Sequence, residues 1–186
     1  FSSRRRHTRY PLVTWSSDVC SSDLGRRATE RVAHFPLQMI ATHSRYSFHT
    51  SSDGKNAVLG RIPAHRSRIA GHDFWILRLH PDDAAARGIA QGDLVRIFND
   101  RGAVVCAADI STTVMAGVVK SWEASAEFEL IEIDGETVEI GGCLNILTPD
   151  RPQARGTSSM APNSCLVEVE KWRGARAFAE SRGRAA

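Results

Sequence analysis

The chain has 186 residues and a mass of 20.4 kDa, enough for one domain with a single sizeable core. At 42% hydrophobic and 24% charged it is not a disordered chain, and no apolar run approaches the roughly 18 residues of a membrane-spanning helix. The 24 basic residues exceed the 21 acidic ones by only three, too few for an electrostatic nucleic-acid footprint. Cys20, Cys106, Cys143 and Cys165 never share a C-x₂₋₄-C spacing, so no zinc or iron–sulfur site is expected within the chain. Scattered, strand-embedded cysteines read as buried thiols of a reducing compartment.

In chain order, residues 1–24 show no helical or strand period. They carry Arg4, Arg5, Arg6 and Arg9 and a near-repeat, SSDVC then SSDL. The apolar stretch of about 7–15 residues that a secretory signal needs is missing after the Arg cluster. Instead the segment resembles the conceptual translation of a sequencing adapter, and residues 1–30 are set aside as an artefactual or disordered lead. The chain opens on Phe1 rather than Met and reads as a fragment of a longer protein.

Phe35–Ala41 is an apolar run of strand length, followed by the polar and aromatic THSRYSFHTSSDG and a loop expected to reach about residue 72. Phe74–Leu79 is a second strand candidate. HPDDAAARGI is the best local signal: Pro81 suits the first helical position, Asp82 and Asp83 oppose the helix dipole, and Gly88 suits a left-handed cap. Leu94–Phe98 and Ala103–Ile110 are strands about a turn at Asn99–Gly102. Val104, Cys106, Ala108 and Ile110 share one face of the second. Val118–Glu123 is a further strand. A hairpin about Asp134–Gly135 carries Ile131, Ile133, Val138 and Ile140. A Gly/Pro/Ser-rich loop spans about 141–164, and Cys165–Trp172 closes the pattern. Residues 174–186 read as a flexible basic tail, weakly helical and frayed. The class is therefore mostly β, a closed barrel with short helices and two long loops, its domain at 31–173.

Chemistry belongs in the loops. His43, Arg45, Ser47, His49 and Thr50 follow an apolar strand and interleave with Tyr46 and Phe48. A Ser47–His49 nucleophile–base pair lacks an acidic residue to orient the imidazole. A metal site on His43 and His49 lacks a third ligand. A binding loop suits the composition better: Arg clamps phosphate, hydroxyls add hydrogen bonds, and aromatics wall a ring. The residues alone leave a solvated loop equally open. Asn145 and Thr148 follow Gly141–Gly142, where backbone could approach a ligand. Asn163 and Ser164 invite the same reading, and for each Asn the alternative is a side chain satisfying its own turn. Asn99–Gly102 read as turn chemistry.

The order of these pieces is more specific than any one of them. HPDDAAARGI…GDLVRIFNDRG, with the preceding THSRYSFHT and the following MAGVV, GGCLNILT and VEV segments, resembles the C-terminal molybdopterin-dinucleotide-binding domain of the dimethyl sulfoxide reductase family of molybdenum enzymes. The match covers about Phe35–Trp172. SRYSFHT with GGCLNILT is most similar to the transhydroxylase branch, large subunits of the pyrogallol–phloroglucinol type. The resemblance implies a double-psi β-barrel and a bis-molybdopterin guanine dinucleotide cofactor shared among domains. It implies cofactor contacts from His43, Arg45, Ser47, His49, Thr50, Asn145, Thr148 and Asn163. Asn99–Gly102 would shape the barrel instead. Two features depart from the pattern: Ala161, Pro162 and Asn163 stand where a basic residue is expected, and the acidic hairpin about Asp134–Gly135 looks inserted. The metal ligand, iron–sulfur cysteines and substrate domains would lie upstream. The fragment alone is then catalytically silent, and the parent is expected to act on a small, polyhydroxylated aromatic substrate. Its partners would be the upstream domains of the same large subunit and an iron–sulfur small subunit. The cytoplasm is favoured, with the periplasm open for the parent. A stand-alone molybdopterin-binding module, or a structural barrel without redox chemistry, are the alternatives.

Overall fold

The computed structural model describes residues 31–43, 58, 62, 65–122, 128–148 and 164–183. The strands are β1 (Leu37–Thr42), β2 (Arg66–Ile69), β3 (His72–Leu79), β4 (Leu94–Asn99), β5 (Gly102–Ile110), β6 (Val118–Trp122), β7 (Leu130–Ile133), β8 (Glu136–Glu139) and β9 (Ser164–Lys171). Helix α1 spans Pro81–Ala86 and α2 Ala175–Gly183, and a 3-10 turn occupies Leu144–Leu147.

Six strands close a barrel in the order β3-β6-β1-β9-β4-β5, with β3 pairing back onto β5. Two of the six contacts, β1–β6 and β3–β5, are parallel. The other four are antiparallel. This mixture follows from chain crossovers within one closed sheet, the double-psi arrangement. Closure leaves no free edge among the six. β2 pairs with the first half of β3, and the β7–β8 hairpin joins β5 through β8.

Alternation with period two sorts each strand into two cores. Val104, Cys106 and Ala108 of β5 point into the barrel with Met39, Leu77, Val95, Ile97, Val119, Val167 and Val169. Ala103, Val105 and Ala107 point outward and are also buried, under Val138, Ile140, Trp172 and Phe178. β5 is thus covered on both faces, which explains its almost unbroken apolar sequence.

Helix α1 forms as its sequence directs. His80 is the N-cap, its Nδ1 accepting from the Asp82 N–H at 3.3 Å, and Pro81 opens the helix. Gly88 takes φ +63° just past the end. The Arg87 guanidinium, at the C-cap, donates to Glu168 at 2.7 Å and to the Asp83 carbonyl at 3.1 Å, tying the helix to β9.

Two sequence expectations need correction. The loop expected over 42–72 ends early, because Arg66–Ile69 pairs with β3 across a turn at Ala70 (φ +49°) and Gly71 (φ +78°). RSRI has no apolar alternation, so an outer strand held by backbone pairing leaves little trace in the sequence. The segment read as a flexible, weakly helical tail from 174 is instead packed down as α2. Its Phe178 is only 2% exposed and packs edge-on against Phe74 at 5.5 Å. One aromatic on a polar helix is a weak periodic signal, yet it is the lid over the outer face of β5.

Candidate functional site

The strand register determines which chain segments meet. β1 ends at Thr42, opposite Trp122 at the end of β6. On its other side, Ile40 of β1 faces Ser164 at the start of β9. The segment beginning THSRYSFHT therefore leaves the barrel beside the point where the segment after the 3-10 turn returns. The last residue of β4, Asn99, and the first of β5, Gly102, lie at this same end. There Ile146 of the 3-10 turn sits against Gly102, and Leu144 and Leu147 bury into the barrel core.

Of the residues expected to bind, His43 is exposed at the end of β1. Asn145 is exposed on the 3-10 turn, and its side-chain amide makes no hydrogen bond among the described residues. It is thus not spent on its own turn. Thr148 is half-buried and closes that turn, its hydroxyl and its N–H both donating to the Asn145 carbonyl, at 2.8 and 3.2 Å. Its hydroxyl proton is engaged, which leaves an oxygen able to accept. Arg45, Ser47, His49, Thr50 and Asn163 lie outside the described residues.

Among the buried polar atoms at this barrel end with no hydrogen-bond partner in the described residues are the Thr42 hydroxyl and the Trp122 indole N–H. They are register neighbours. The Trp122 ring is flanked by the Lys120 ammonium at 4.9 Å and the Arg78 guanidinium at 5.9 Å. Beside it His65 packs between Trp75 and Trp122, 4.6 and 5.5 Å away. Burial, and then the charge of Arg66, lower the His65 pKa to about 4, so this imidazole is neutral at pH 7. Together these form an aromatic, mildly cationic rim with hydrogen-bonding capacity in reserve. That set fits a flat, heteroatom-rich ligand with an anionic tail.

The glycine pair has a different role from the one expected. Gly142 has φ +88°, and a Cβ there would lie 1.9 Å from Trp75 Cδ1. A core tryptophan, not a ligand, demands this glycine. The neighbouring amides are spent as well, all on Glu139, a residue that is completely buried. One carboxylate oxygen accepts from Gly141 N (2.6 Å) and Glu129 N (3.1 Å). The other accepts from Gly142 N (2.8 Å) and Cys143 N (2.7 Å). Successive N–H groups curled about an anion form a nest, here filled by the protein's own side chain. Burial pushes the Glu139 carboxyl up from the ordinary range, and the four donors oppose that shift.

The sequence assigns Asn99 to a turn. It does serve the turn, accepting from Arg101 N at 2.9 Å. It is also buried, donating to the carbonyls of Leu147 at 2.8 Å and Leu166 at 3.2 Å, and so it ties the 3-10 turn to β9. Glu139 had no such reading. Its only sequence signal is a carboxylate between two apolar residues directly ahead of Gly141–Gly142.

No three His, Cys, Asp or Glu side chains converge on a metal-binding position among the described residues. A surface concavity of about 550 Å³ lies beside the β2–β3 turn, lined by Arg66, His72, Asp73, Phe128, Glu129 and Arg182. Two of its charges answer each other, Arg182 with Glu129, and Asp73 pairs with Arg68. It is not the rim that carries His43 and Asn145.

Comparison with known proteins agrees with this architecture. The fold resembles acetylene hydratase from Pelobacter acetylenicus, with a TM-score of 0.56 over 78% of this chain and 20% of that one, at 12% identity. The sequence is 44% identical over 140 residues to the pyrogallol hydroxytransferase large subunit of Pelobacter acidigallici, covering 75% of this chain and 16% of that protein. It is 35% identical over 147 residues to the dimethyl sulfoxide/trimethylamine N-oxide reductase of Cereibacter sphaeroides, 77% of this chain and again 16% of the relative. The chain thus spans about a sixth of the length of these relatives. Residues 37–166 match the family model of the molydopterin dinucleotide binding domain, and the chain belongs to that family, a domain of the dimethyl sulfoxide reductase group of molybdenum enzymes.

Proposed function

We propose that the barrel end bounded by Thr42, Trp122, Asn145 and Ser164 holds one pterin and pyrophosphate of a molybdopterin guanine dinucleotide, within a much longer molybdenum enzyme. The observation that supports this is the Ile40–Ser164 register, which brings two polar segments far apart in sequence to one end of a rigid barrel. His43, Arg45, Ser47, His49 and Thr50 would approach from one side, and Asn145, Thr148 and Asn163 from the other. Arg45 is the residue suited to pyrophosphate, since its guanidinium can donate two parallel bonds. The Thr42 hydroxyl and Trp122 N–H would join them at the ring. When bound, the cofactor supplies molybdenum redox and oxygen-transfer chemistry. The barrel's own work is to bind it, orient it and keep water from its buried edge.

The parent enzyme, on this reading, transfers hydroxyl groups on a polyhydroxylated aromatic, as the name of its 44%-identical relative suggests. The metal ligand and substrate groups come from upstream domains of the same large subunit, and electrons pass through an iron–sulfur small subunit in the cytoplasm. Residues 1–30 stand outside the working domain. Arg45→Ala in the full-length enzyme tests the core of the reading. Molybdenum and released guanine nucleotide should both fall relative to protein, with the circular dichroism spectrum unchanged. A folded variant with its full complement of both refutes the assignment.

A further inference from the structure

We infer that Glu139, which no binding motif contains, is a positioning residue for the cofactor: it holds Asn145 in place through the backbone of Gly141–Cys143. This rests on the reading that the Asn145 end of the barrel grips the cofactor.

The 3-10 turn is pinned at both ends by buried side chains. Ahead of it, Glu139 accepts the N–H groups of Gly141, Gly142 and Cys143, and Cys143 is the cap from which the turn starts. Behind it, Asn99 donates to the Leu147 carbonyl. Between the pins, Leu144 and Leu147 are buried, while Asn145 projects outward with its amide unengaged among the described residues. A fully buried carboxylate is costly unless every lone pair is answered, and here four backbone N–H groups answer it, donors that an apolar side chain would leave unpaired. What the carboxylate adds is direction. Four N–H vectors converging on two oxygens leave the 141–143 backbone a single orientation, and the orientation of Asn145 follows. A binding group must be held to within a fraction of an ångström to keep its ligand.

A purely structural Glu139 and a positioning Glu139 differ in what they do to cofactor release. The full-length holoenzyme is loaded, diluted, and the pterin appearing in the filtrate followed by fluorescence after oxidation. E139Q is compared with F178A, which destabilises the barrel from its outer face, at temperatures equally far below each variant's Tm. E139Q should release cofactor at least about 10-fold faster than F178A, the scale on which groups supporting a binding residue act. Equal release overturns the positioning role. If E139Q does not accumulate as folded protein, C143P and C143A replace it. Cys143 has φ −76°, which proline accepts, so C143P removes one donor to Glu139 and turns its ring Cδ toward that carboxylate, breaking the contact, whereas C143A keeps it. Faster release from C143P alone supports the inference, and equal release from the two overturns it. N145A separates the two failures. Fast release from N145A with slow release from E139Q removes Glu139's role only. Slow release from both removes the barrel-end reading as well.

Discussion

Gly142→Ala distinguishes a glycine required by packing from one required by a ligand. The added methyl would lie 1.9 Å from Trp75 Cδ1 and 2.6 Å from Cγ, inside any tolerable contact. Trp75 is 1% exposed and faces Arg66 and His65 on its other sides, so it has nowhere to retreat. Overpacking of this kind costs about 1–3 kcal/mol. The positive φ of Gly142 adds about 1 kcal/mol once a Cβ is present. A total of about 3 kcal/mol lowers Tm by roughly 10 °C in a domain of this size. Gly92→Ala is the control, because Gly92 has φ +80° but nothing within 4 Å of its Cβ. It should lose only the backbone part, about 1 kcal/mol. Urea unfolding followed by tryptophan fluorescence measures both, and near-UV circular dichroism reports whether the Trp75 environment has shifted. If Gly142→Ala is no worse than Gly92→Ala, the packing argument is wrong. If it leaves stability intact yet lowers cofactor retention in the full-length enzyme, the glycine serves a ligand after all.

Further outcomes are expected. Asn99→Ala removes the buried hydrogen bonds to Leu147, Leu166, Arg101 and the Cys165 sulfur and should cost about 2–3 kcal/mol in urea unfolding; Asn99→Asp, which turns a donor into a charge facing two carbonyls, should cost more. His65 has a folded pKa of about 4 against 6.5 when free, so the unfolded chain binds its proton first. Its contribution to stability is complete above pH 6.5, is lost as pH falls toward 4, and amounts to about 3 kcal/mol at most. A His65→Gln variant with the same dependence of urea midpoint on pH over that window would refute this. Phe178→Ala should cost about 3 kcal/mol by uncovering the outer face of β5, measured as a fall in Tm; a truncation before Ala175 that leaves Tm unchanged would contradict the burial of Phe178.

Local chemistry made much of this protein readable from its residues. Pro81, the acidic first turn and Gly88 specify α1 without outside help, since each acts within one helical turn. Alternation in Ala103–Ile110 and Cys165–Trp172 marks strands, because side chains project with period two whatever the partner strand. The motif order carried the family and, with it, the barrel. What local chemistry could not supply is whatever depends on a partner distant in the chain. Pairing between Ile40 and Ser164 exists only once β1 and β9 are neighbours. Arg66–Ile69 becomes a strand because β3 offers its backbone, and Phe178 becomes core because β5 has a second face to cover. Gly142 read as room for a ligand until Trp75 occupied that room. Glu139 read as one more acid in a charged hairpin, and only the closed fold, which takes it out of water and turns four N–H groups toward it, makes it an anchor.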